Sequence, residues 1–368
     1  MPAEMPNEPG ASGPKPIGRA SHLQTPNPYV RVRLERQWDE LEQDDDAIAR
    51  GERIPTEYLD ESAVSVVSEN DSPDIPFRYS LNPYRGCAHG CAYCYARPTH
   101  EYFGLSAGLD FETKVFVKRN APELFRNWLA RDRYVPESVM LSGVTDCYQD
   151  AERKFGITRG CLEVALEANQ PVSIITKNAA ILRDLDLLAP LAARRLTRVA
   201  ISLTSLDQSL TRSMEPRTSA PEARLRAIRE LTDAGVPVMV MTAPIIPGLN
   251  EDEVPRLLEA AADAGAKGAG YIFIRLPKSV APVFEDWLRR VYPNRADKVL
   301  ERIRASRDGK LNDARFGERM RGGGVWGDQI RATFKLFAQR YGLASHLGPL
   351  DTTRFRPPTL PGGQLRLF

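Results

Sequence analysis

The feature that most constrains the fold is an alternation of short apolar β-type runs with amphipathic helical segments over residues 77–280. Six of these runs are predicted to be strands, at residues 77–82, 138–143, 172–177, 198–205, 236–246 and 270–277. Asn120, Ser219 and Asn250 each precede a Glu by three residues, which predicts capping boxes at helix starts. Because short right-handed crossovers join successive parallel strands, we expect an α/β fold that curls into a partial (β/α)6 TIM-like barrel.

The segments on either side of this barrel differ from it in composition. The first 30 residues are rich in Pro, Gly, Asn and Ser and lack apolar periodicity, so residues 1–30 are predicted to be a disordered tail. Residues 31–76 include the acidic run ELEQDDD and a short β-branched stretch, which predicts a partly ordered acidic extension. Residues 281–368 are predicted to be a basic helical C-terminal extension.

Charge is distributed unevenly along the chain. The net charge of +2 is the sum of −9 over residues 1–76, +3 over residues 77–280 and +8 over residues 281–368. Clustered Lys and Arg attract phosphates, so nucleic acid is a possible partner, although a solvated basic surface explains the same surplus. The chain has no run of 18 apolar residues, and its N-terminus lacks the apolar core of a signal peptide. We therefore expect a cytoplasmic monomer without a membrane partner.

Three of the five cysteines, Cys87, Cys91 and Cys94, form a C-x3-C-x2-C motif in the run NPYRGCAHGCAYCYARP. Clustered thiolates favour iron–sulfur clusters, zinc or Cu(I), and three ligands instead of four suggest a metal site with one open position. A zinc site completed by His89 or His100 is the alternative. We favour it less, because His89 lies between the cysteines and the chain has no second C-x-x-C pair.

The position of the motif adds to its meaning. It directly follows the first predicted strand, and the turns SGVTD, TKN, TSLD and PIIPGLN follow the second to fifth strands. Active sites of β/α barrels lie at the carboxyl ends of the strands. We therefore expect the cysteines and these polar turns to surround one mouth.

This arrangement, with Tyr93 just before the third cysteine, resembles the radical S-adenosylmethionine (SAM) superfamily. The resemblance implies that Cys87, Cys91 and Cys94 hold a 4Fe-4S cluster whose fourth iron is chelated by the amino and carboxylate groups of SAM. An external one-electron reductant would then drive reductive cleavage of SAM to a 5′-deoxyadenosyl radical, which abstracts hydrogen from an unidentified substrate.

The resemblance also implies where SAM binds. SGVTD matches the motif that contacts the methionyl amino group, Ser202 matches the ribose position, and IPGLNE resembles the family's G-x-I-x-G-x-x-E stretch, with Pro244 in place of the first Gly. Two cations at strand ends could reach the SAM carboxylate. The resulting candidates are Tyr93, Gly143, Thr145, Asp146, Lys177, Ser202, Arg217, Ile246, Gly248 and Glu251. Ordinary roles remain open for three of them: a turn residue for Asp146, a small strand residue for Ser202 and a first-turn helix acid for Glu251.

Within the superfamily, phrases such as LSGVTDCYQDAERKFGITR and GVWGDQI resemble the branch related to spore photoproduct lyase and called DNA-repair-photolyase-like, over roughly residues 70–345. That lyase uses a hydrogen-donating cysteine near the end of strand two, where this sequence has Gly143, and Cys147 lies four residues further on. Either Cys147 has a comparable catalytic role, or the thymine-dimer reaction is not that of this protein. We favour the second.

Three rival functions remain open. They are a DNA lesion-repair lyase, a maturation enzyme acting on a peptide, protein or RNA, and a non-catalytic zinc or nucleic-acid-binding protein.

Overall fold

A computed structural model describes residues 18–29 and 54–360 of the chain. The strands are β1 Glu57–Asp60, β2 Val67–Glu69, β3 Tyr79–Leu81, β4 Tyr84–Arg85, β5 Lys114–Val117, β6 Val139–Leu141, β7 Val172–Thr176, β8 Thr197–Ser202, β9 Val238–Ile245 and β10 Gly268–Phe273. The α-helices are Leu109–Thr113, Ala121–Leu129, Asp150–Phe155, Ile157–Ala168, Leu185–Ala193, Gln208–Met214, Pro221–Asp233, Val254–Asp263, Val280–Val291, Pro293–Ala305 and Gly324–Arg340. Short 3₁₀ helices are Arg97–Phe103, Ala179–Asp184 and Glu251–Glu253.

The main sheet contains the six predicted strands. Its order is β10-β9-β8-β7-β6-β3-β2, and each pair from β3 to β10 is parallel. The α/β fold class and the partial barrel of six parallel strands are therefore confirmed. The sheet gains a seventh strand, because β2 pairs antiparallel with β3 at the edge.

The two faces of the sheet have different surroundings. Buried and half-exposed residues alternate along β8 and β9. This alternation indicates that helices cover one face of the sheet and that the other face lines a partly open interior. Ser202, Met241 and Gly270 lie in register across β8, β9 and β10 and share one face. Side chains of the strands and helices join in one large hydrophobic core.

A second sheet, which the sequence pattern does not predict, flanks the cysteine motif. In it β1 pairs parallel with β5, and β5 pairs antiparallel with β4. Strand β4 enters the cysteine motif at Arg85, and β5 follows it in the chain. The motif is therefore connected to this small sheet as well as to the main sheet.

Part of the predicted tail is packed. In residues 18–29, Ala20 and Ser21 are buried, and the Thr25 backbone N–H donates to Ser106 Oγ at 2.9 Å. This differs from the prediction of disorder, because these residues are ordered by polar contacts with the barrel and need no apolar periodicity of their own. Residues 1–17 and the acidic run at 40–46 lie outside the described residues.

The predicted capping boxes do not form. Asn120 and Asn250 stand at N-cap positions, but no side-chain capping bond is made there, and the helix after Ser219 is preceded by Ala220. Tertiary partners take these side chains instead: Asn250 Nδ2 donates to Thr204 O at 2.8 Å, and Ser219 Oγ accepts from the Ala179 backbone N–H at 2.9 Å.

The C-terminal helices share the core of the barrel. Trp287, Leu300 and Phe334, one from each of the last three helices, are buried in the same hydrophobic cluster as the strands. Among residues 18–29 and 54–360, no helix combines the length and apolar character that crossing a bilayer requires. Residues 361–368 lie outside the described residues.

Candidate functional site

The polar strand ends meet at one mouth, as the barrel rule predicts. The Val144 backbone N–H donates to Asn82 Oδ1 at 2.9 Å, which joins the ends of β6 and β3. Lys177 Nζ donates to Ser202 Oγ at 2.9 Å, which joins the ends of β7 and β8. The carboxyl ends of neighbouring parallel strands are thus linked by hydrogen bonds between residues at or just after the strand ends.

The cysteine loop, residues 86–94, lies at this mouth. Cys87 and Cys91 are buried, Cys94 is half-buried, and all three thiols are free. Backbone N–H groups of His89 and Asp146 are directed at the Cys87 sulfur, and those of Ala96 and Arg97 at the Cys94 sulfur. Such N–H donors stabilise thiolates. Burial raises the pKa of all three thiols, so metal loading must displace their protons.

Arg97 holds the loop from beneath. Its fully buried guanidinium donates to the carbonyls of Cys91 at 2.9 Å and Gly90 at 3.2 Å, and it pairs with Glu112 at 2.8 Å. Five donors in a rigid planar fork suit this task, because one side chain satisfies several carbonyls of an irregular loop at once.

Gln149 holds the loop from the side. Its fully buried Oε1 accepts from the Ala88 backbone N–H at 2.8 Å, and its Nε2 donates to Gly86 O at 3.1 Å. Thr145 completes this contact, since its hydroxyl donates to Gly86 O at 2.6 Å and accepts from Gln149 Nε2 at 2.9 Å. Thr145, predicted as a SAM contact, therefore supports the cysteine loop.

The cysteine loop has no room for a side chain at Gly86. Its φ is +78°, and an added Cβ would lie 2.8 Å from His100 Cε1 and 2.9 Å from Lys114 O. A left-handed conformation and a close neighbour together require glycine at this position.

Tyr93 and Lys177 surround a buried carboxylate. The Tyr93 hydroxyl donates to Glu215, Thr204 Oγ1 donates to Glu215 at 2.6 Å, and Arg224 pairs with Glu215 at 2.5 Å. Burial alone would raise the pKa of Glu215, but the charges of Arg224 and Lys177 outweigh it and lower the pKa to about 2. Lys177 Nζ also lies 5.8 Å from the Tyr93 ring centroid.

Asp146 binds the end of β7. Its carboxylate accepts from Thr176 Oγ1 at 2.7 Å and from the Lys177 backbone N–H at 2.9 Å, and His89 Nδ1 lies 3.5 Å from it. In the same turn, the carbonyl of Gly143 accepts a hydrogen bond from the Tyr95 hydroxyl. The SGVTD turn is therefore a junction between the cysteine loop and the next strand.

The IPGLNE stretch forms a closed turn after β9. Glu251 accepts from the backbone N–H of Gly248 at 2.6 Å and pairs with Arg302 at 2.8 Å. Ile246 is fully buried, and Gly248 has a φ of +87°. Glu251 thus shapes the turn in which the resemblance places SAM contacts.

Two further candidates make other contacts. The Arg217 backbone N–H donates to His89 O in the cysteine loop at 3.4 Å, and its guanidinium pairs with Asp150 at 3.3 Å. Cys147 is fully buried, and its carbonyl accepts from Thr158 Oγ1 at 2.7 Å. A catalytic role for Cys147 stays a prediction.

The histidines of the zinc alternative are engaged elsewhere. His100 Nε2 lies 2.9 Å from Lys114 O, and His89 lies between Asp146 and Asn178. In the described part of the chain, no three His, Cys, Asp or Glu side chains surround a point that could hold a single metal ion.

The sequence pattern did not single out the supporting side chains, which are Arg97, Glu112, Gln149, Glu215 and Arg224. Arg97 and Gln149 do occur in the runs that carry the resemblance, CAYCYARP and LSGVTDCYQD. Nothing in their local spacing indicates that they contact the cysteine loop, because those contacts depend on the fold.

Fold and site together define a class of protein: a partial (β/α)6 barrel with a three-cysteine loop at the carboxyl ends of its strands. The sequence profile of the Radical SAM superfamily matches residues 81–261. An uncharacterised protein of Mycobacterium bovis is 38% identical over 250 residues, which cover 67% of this chain and 73% of that protein. The chain belongs to the radical SAM superfamily, and the family prediction is confirmed.

More distant similarities agree with this assignment. An uncharacterised protein of Methanocaldococcus jannaschii is 29% identical over 176 residues, which cover 48% of this chain and 63% of that protein. The structure of spore photoproduct lyase complexed with dinucleoside spore photoproduct matches with a TM-score of 0.58 at 17% identity, covering 86% of each chain. The predicted relation to that lyase therefore holds for the fold.

Proposed function

We propose that this protein is a radical SAM enzyme in which Cys87, Cys91 and Cys94 hold a 4Fe-4S cluster. The proposal rests on one observation above all: in a chain of this family, the cysteine loop lies at the same mouth as Lys177 and Ser202. When bound, the cluster and SAM supply reductive cleavage of SAM to a 5′-deoxyadenosyl radical that takes hydrogen from the substrate.

The chain's own residues prepare the site for that chemistry. Arg97 and Gln149 fix the backbone of the cysteine loop, and burial keeps Cys87 and Cys91 from water. Lys177 offers an ammonium group at the mouth that suits the SAM carboxylate. Asp146 positions Lys177, because the Asp146 carboxylate accepts from the Lys177 backbone N–H. The remaining predicted SAM contacts are Tyr93, Gly143, Thr145, Ser202, Arg217, Ile246, Gly248 and Glu251.

The rest of the proposal concerns the reductant, the cellular location and the oligomeric state. It includes an external one-electron reductant, a cytoplasmic location and a monomer. The reaction of spore photoproduct lyase is not included, because Gly143 offers no thiol and Cys147 is fully buried.

Metal analysis tests the proposal. Anaerobically purified protein should contain about four iron and four sulfide per chain, and Cys94→Ala should lose most of both. Cys161→Ala is the control, because Cys161 is a buried thiol on the helix Ile157–Ala168, outside the cysteine loop. One zinc per chain without labile sulfide would contradict the proposal and favour a structural zinc site.

A further inference from the structure

Beyond the cysteine loop, three arginines lie together at the end of β10. They belong to the strand end and to the bridging loop, residues 306–323, which connects the last two helices. We name Arg275, Arg307 and Arg319 the arginine triad. The charge of Arg319 lowers the pKa of Arg275, and the charge of Arg275 lowers that of Arg307, after burial as the larger cause in each case. Contacts agree with this, since Arg307 Nη2 donates to Arg319 O at 3.1 Å and Arg275 Nη1 lies 3.4 Å from the sulfur of Met320, the next residue.

The bridging loop, which contains Arg307 and Arg319, extends from β10 to the opposite edge of the main sheet. The Phe273 backbone N–H at the end of β10 donates to Met320 O at 2.9 Å. On the opposite side, Arg319 donates to Asp74 Oδ2 at 2.5 Å, in the segment between β2 and β3. The loop thus connects the two edges of the sheet, which β10 and β2 form.

The acids around the triad balance only part of its charge. Asp74 pairs with Arg319, and their side chains are 10% and 16% exposed. Asp313 also acts on Arg307, but its carboxylate is occupied by Arg315 at 2.5 Å. Arg315 also pairs with Asp308 at 2.6 Å, so Arg315 and the triad, set against the carboxylates of Asp74, Asp308 and Asp313, leave an excess of one positive charge.

The triad also has unused donors. Arg275 Nε and Arg307 Nη1 are buried, and neither has a hydrogen-bond acceptor among the described residues. Arg307 uses its other nitrogens on Ile274 O, at 2.5 and 3.1 Å, which fixes its position. Buried guanidinium donors without an acceptor are costly, and an oxyanion satisfies them.

Arg275 follows the end of β10, at the carboxyl edge of the sheet where the cysteine loop also lies. Arg275 acts electrostatically on the hydroxyl of Tyr95, the residue after Cys94, and that hydroxyl donates to Gly143 O. A group held by Arg275 would therefore lie at the mouth that contains the cysteine loop.

We propose that the arginine triad binds a phosphomonoester of the substrate, with Arg275 as its principal direct contact. The local charge is positive, and a phosphomonoester offers three strong acceptor oxygens, one more than a carboxylate or a phosphodiester, so that it can accept from both Arg275 Nε and Arg307 Nη1. The inference deepens the proposed function, because it assigns a substrate class to the same mouth.

Calorimetric titration of the full-length, cluster-loaded protein with inorganic phosphate tests the inference, at constant ionic strength and without reductant. Arg275→Met should weaken phosphate binding by at least about tenfold. Asp74→Asn should strengthen it, because Asp74 competes with the anion for Arg319. Arg289→Met is the control, since Arg289 is an exposed residue paired with Glu285 and Asp297, and it should leave the affinity unchanged.

Further arms identify the ligand. Acetate, and an oligonucleotide without terminal phosphates, should each bind more weakly than phosphate. Equal affinity for phosphate and acetate, unchanged affinity in both Arg275→Met and Asp74→Asn, or tighter binding of the oligonucleotide would overturn the inference. Displacement of phosphate by SAM would also overturn it, because the triad would then belong to the SAM site.

Failure of this inference is distinguishable from failure of the proposed function. Arg275→Met should still form 5′-deoxyadenosine from SAM on reduction, since the triad is not part of the cysteine loop. Loss of that reaction in the wild type, with phosphate binding retained, would contradict the proposed function alone.

Discussion

At the scale of single residues, the site depends on buried charges that balance one another. Glu215 accepts hydrogen bonds from Tyr93 and Thr204 and pairs with Arg224, all beneath the cysteine loop. A buried pair is not in itself strong evidence of stability, but removal of one partner leaves the other charge uncompensated. Glu215 is therefore a position where a single charge change should be costly.

Glu215→Gln should lower the free energy of unfolding of the cluster-free protein at pH 7 by about 3 kcal/mol. Since the folded state lowers the pKa of Glu215 from 4.5 to about 2, its stabilisation is complete above pH 4.5 and declines as the pH falls toward 2. Denaturant unfolding at several pH values measures this. The difference between wild type and variant should shrink in that range.

The control for this prediction is Glu230→Gln. Glu230 pairs with Arg226 at 3.5 Å on an exposed helix face, so the change should cost less than about 1 kcal/mol. An equal loss in both variants, or a difference for Glu215→Gln that does not depend on pH, would contradict the account of the buried pair.

At the scale of elements, periodic signals were predictable and tertiary contacts were not. Strands β7, β8 and β9 were predictable because their long apolar runs are typical of buried strands. Strand β4 has two residues and β5 has four. Both are too short for an alternation of apolar and polar residues to identify them as strands. Asn250 satisfied the capping pattern, yet its amide binds Thr204 because the neighbouring strand end lies within reach.

The same reasoning applies to the support of the cysteine loop, which long-range contacts provide. Gln149→Leu removes the hydrogen bonds to Ala88 N and Gly86 O. The variant should lose its iron to a chelator at least about tenfold faster than wild type, because removal of a side chain that holds the ligands of a metal in place commonly has an effect of this size. Absorbance of the cluster during chelator treatment measures the rate.

Gln170→Leu is a matched control. Gln170 is also fully buried and bonds Tyr134, Glu137 O and Pro171 O, away from the cysteine loop. Both variants should lower the thermal midpoint, but only Gln149→Leu should accelerate iron loss. Equal rates in the two variants would show that the loop depends on general stability and not on Gln149.

At the scale of the whole molecule, the barrel brings together groups that are distant in sequence. The cysteine loop, Lys177 and Ser202 meet because successive parallel strands end at one edge, which the sequence pattern predicts. The bridging loop reaches that mouth from residues 306–323, and its contact with Asp74 could not be predicted from composition. The basic charge of the C-terminal region is therefore partly placed at the mouth through Arg307 and Arg319.

The central claim is that the cysteine loop generates a radical from SAM. The most direct measurement is the amount of 5′-deoxyadenosine formed when anaerobic protein with SAM is reduced by dithionite. Wild type should form it, Cys87→Ala should form none above the protein-free background, and Cys161→Ala should match wild type. Absence of 5′-deoxyadenosine from wild type with full iron and sulfide content, or equal formation by Cys87→Ala, would contradict the account.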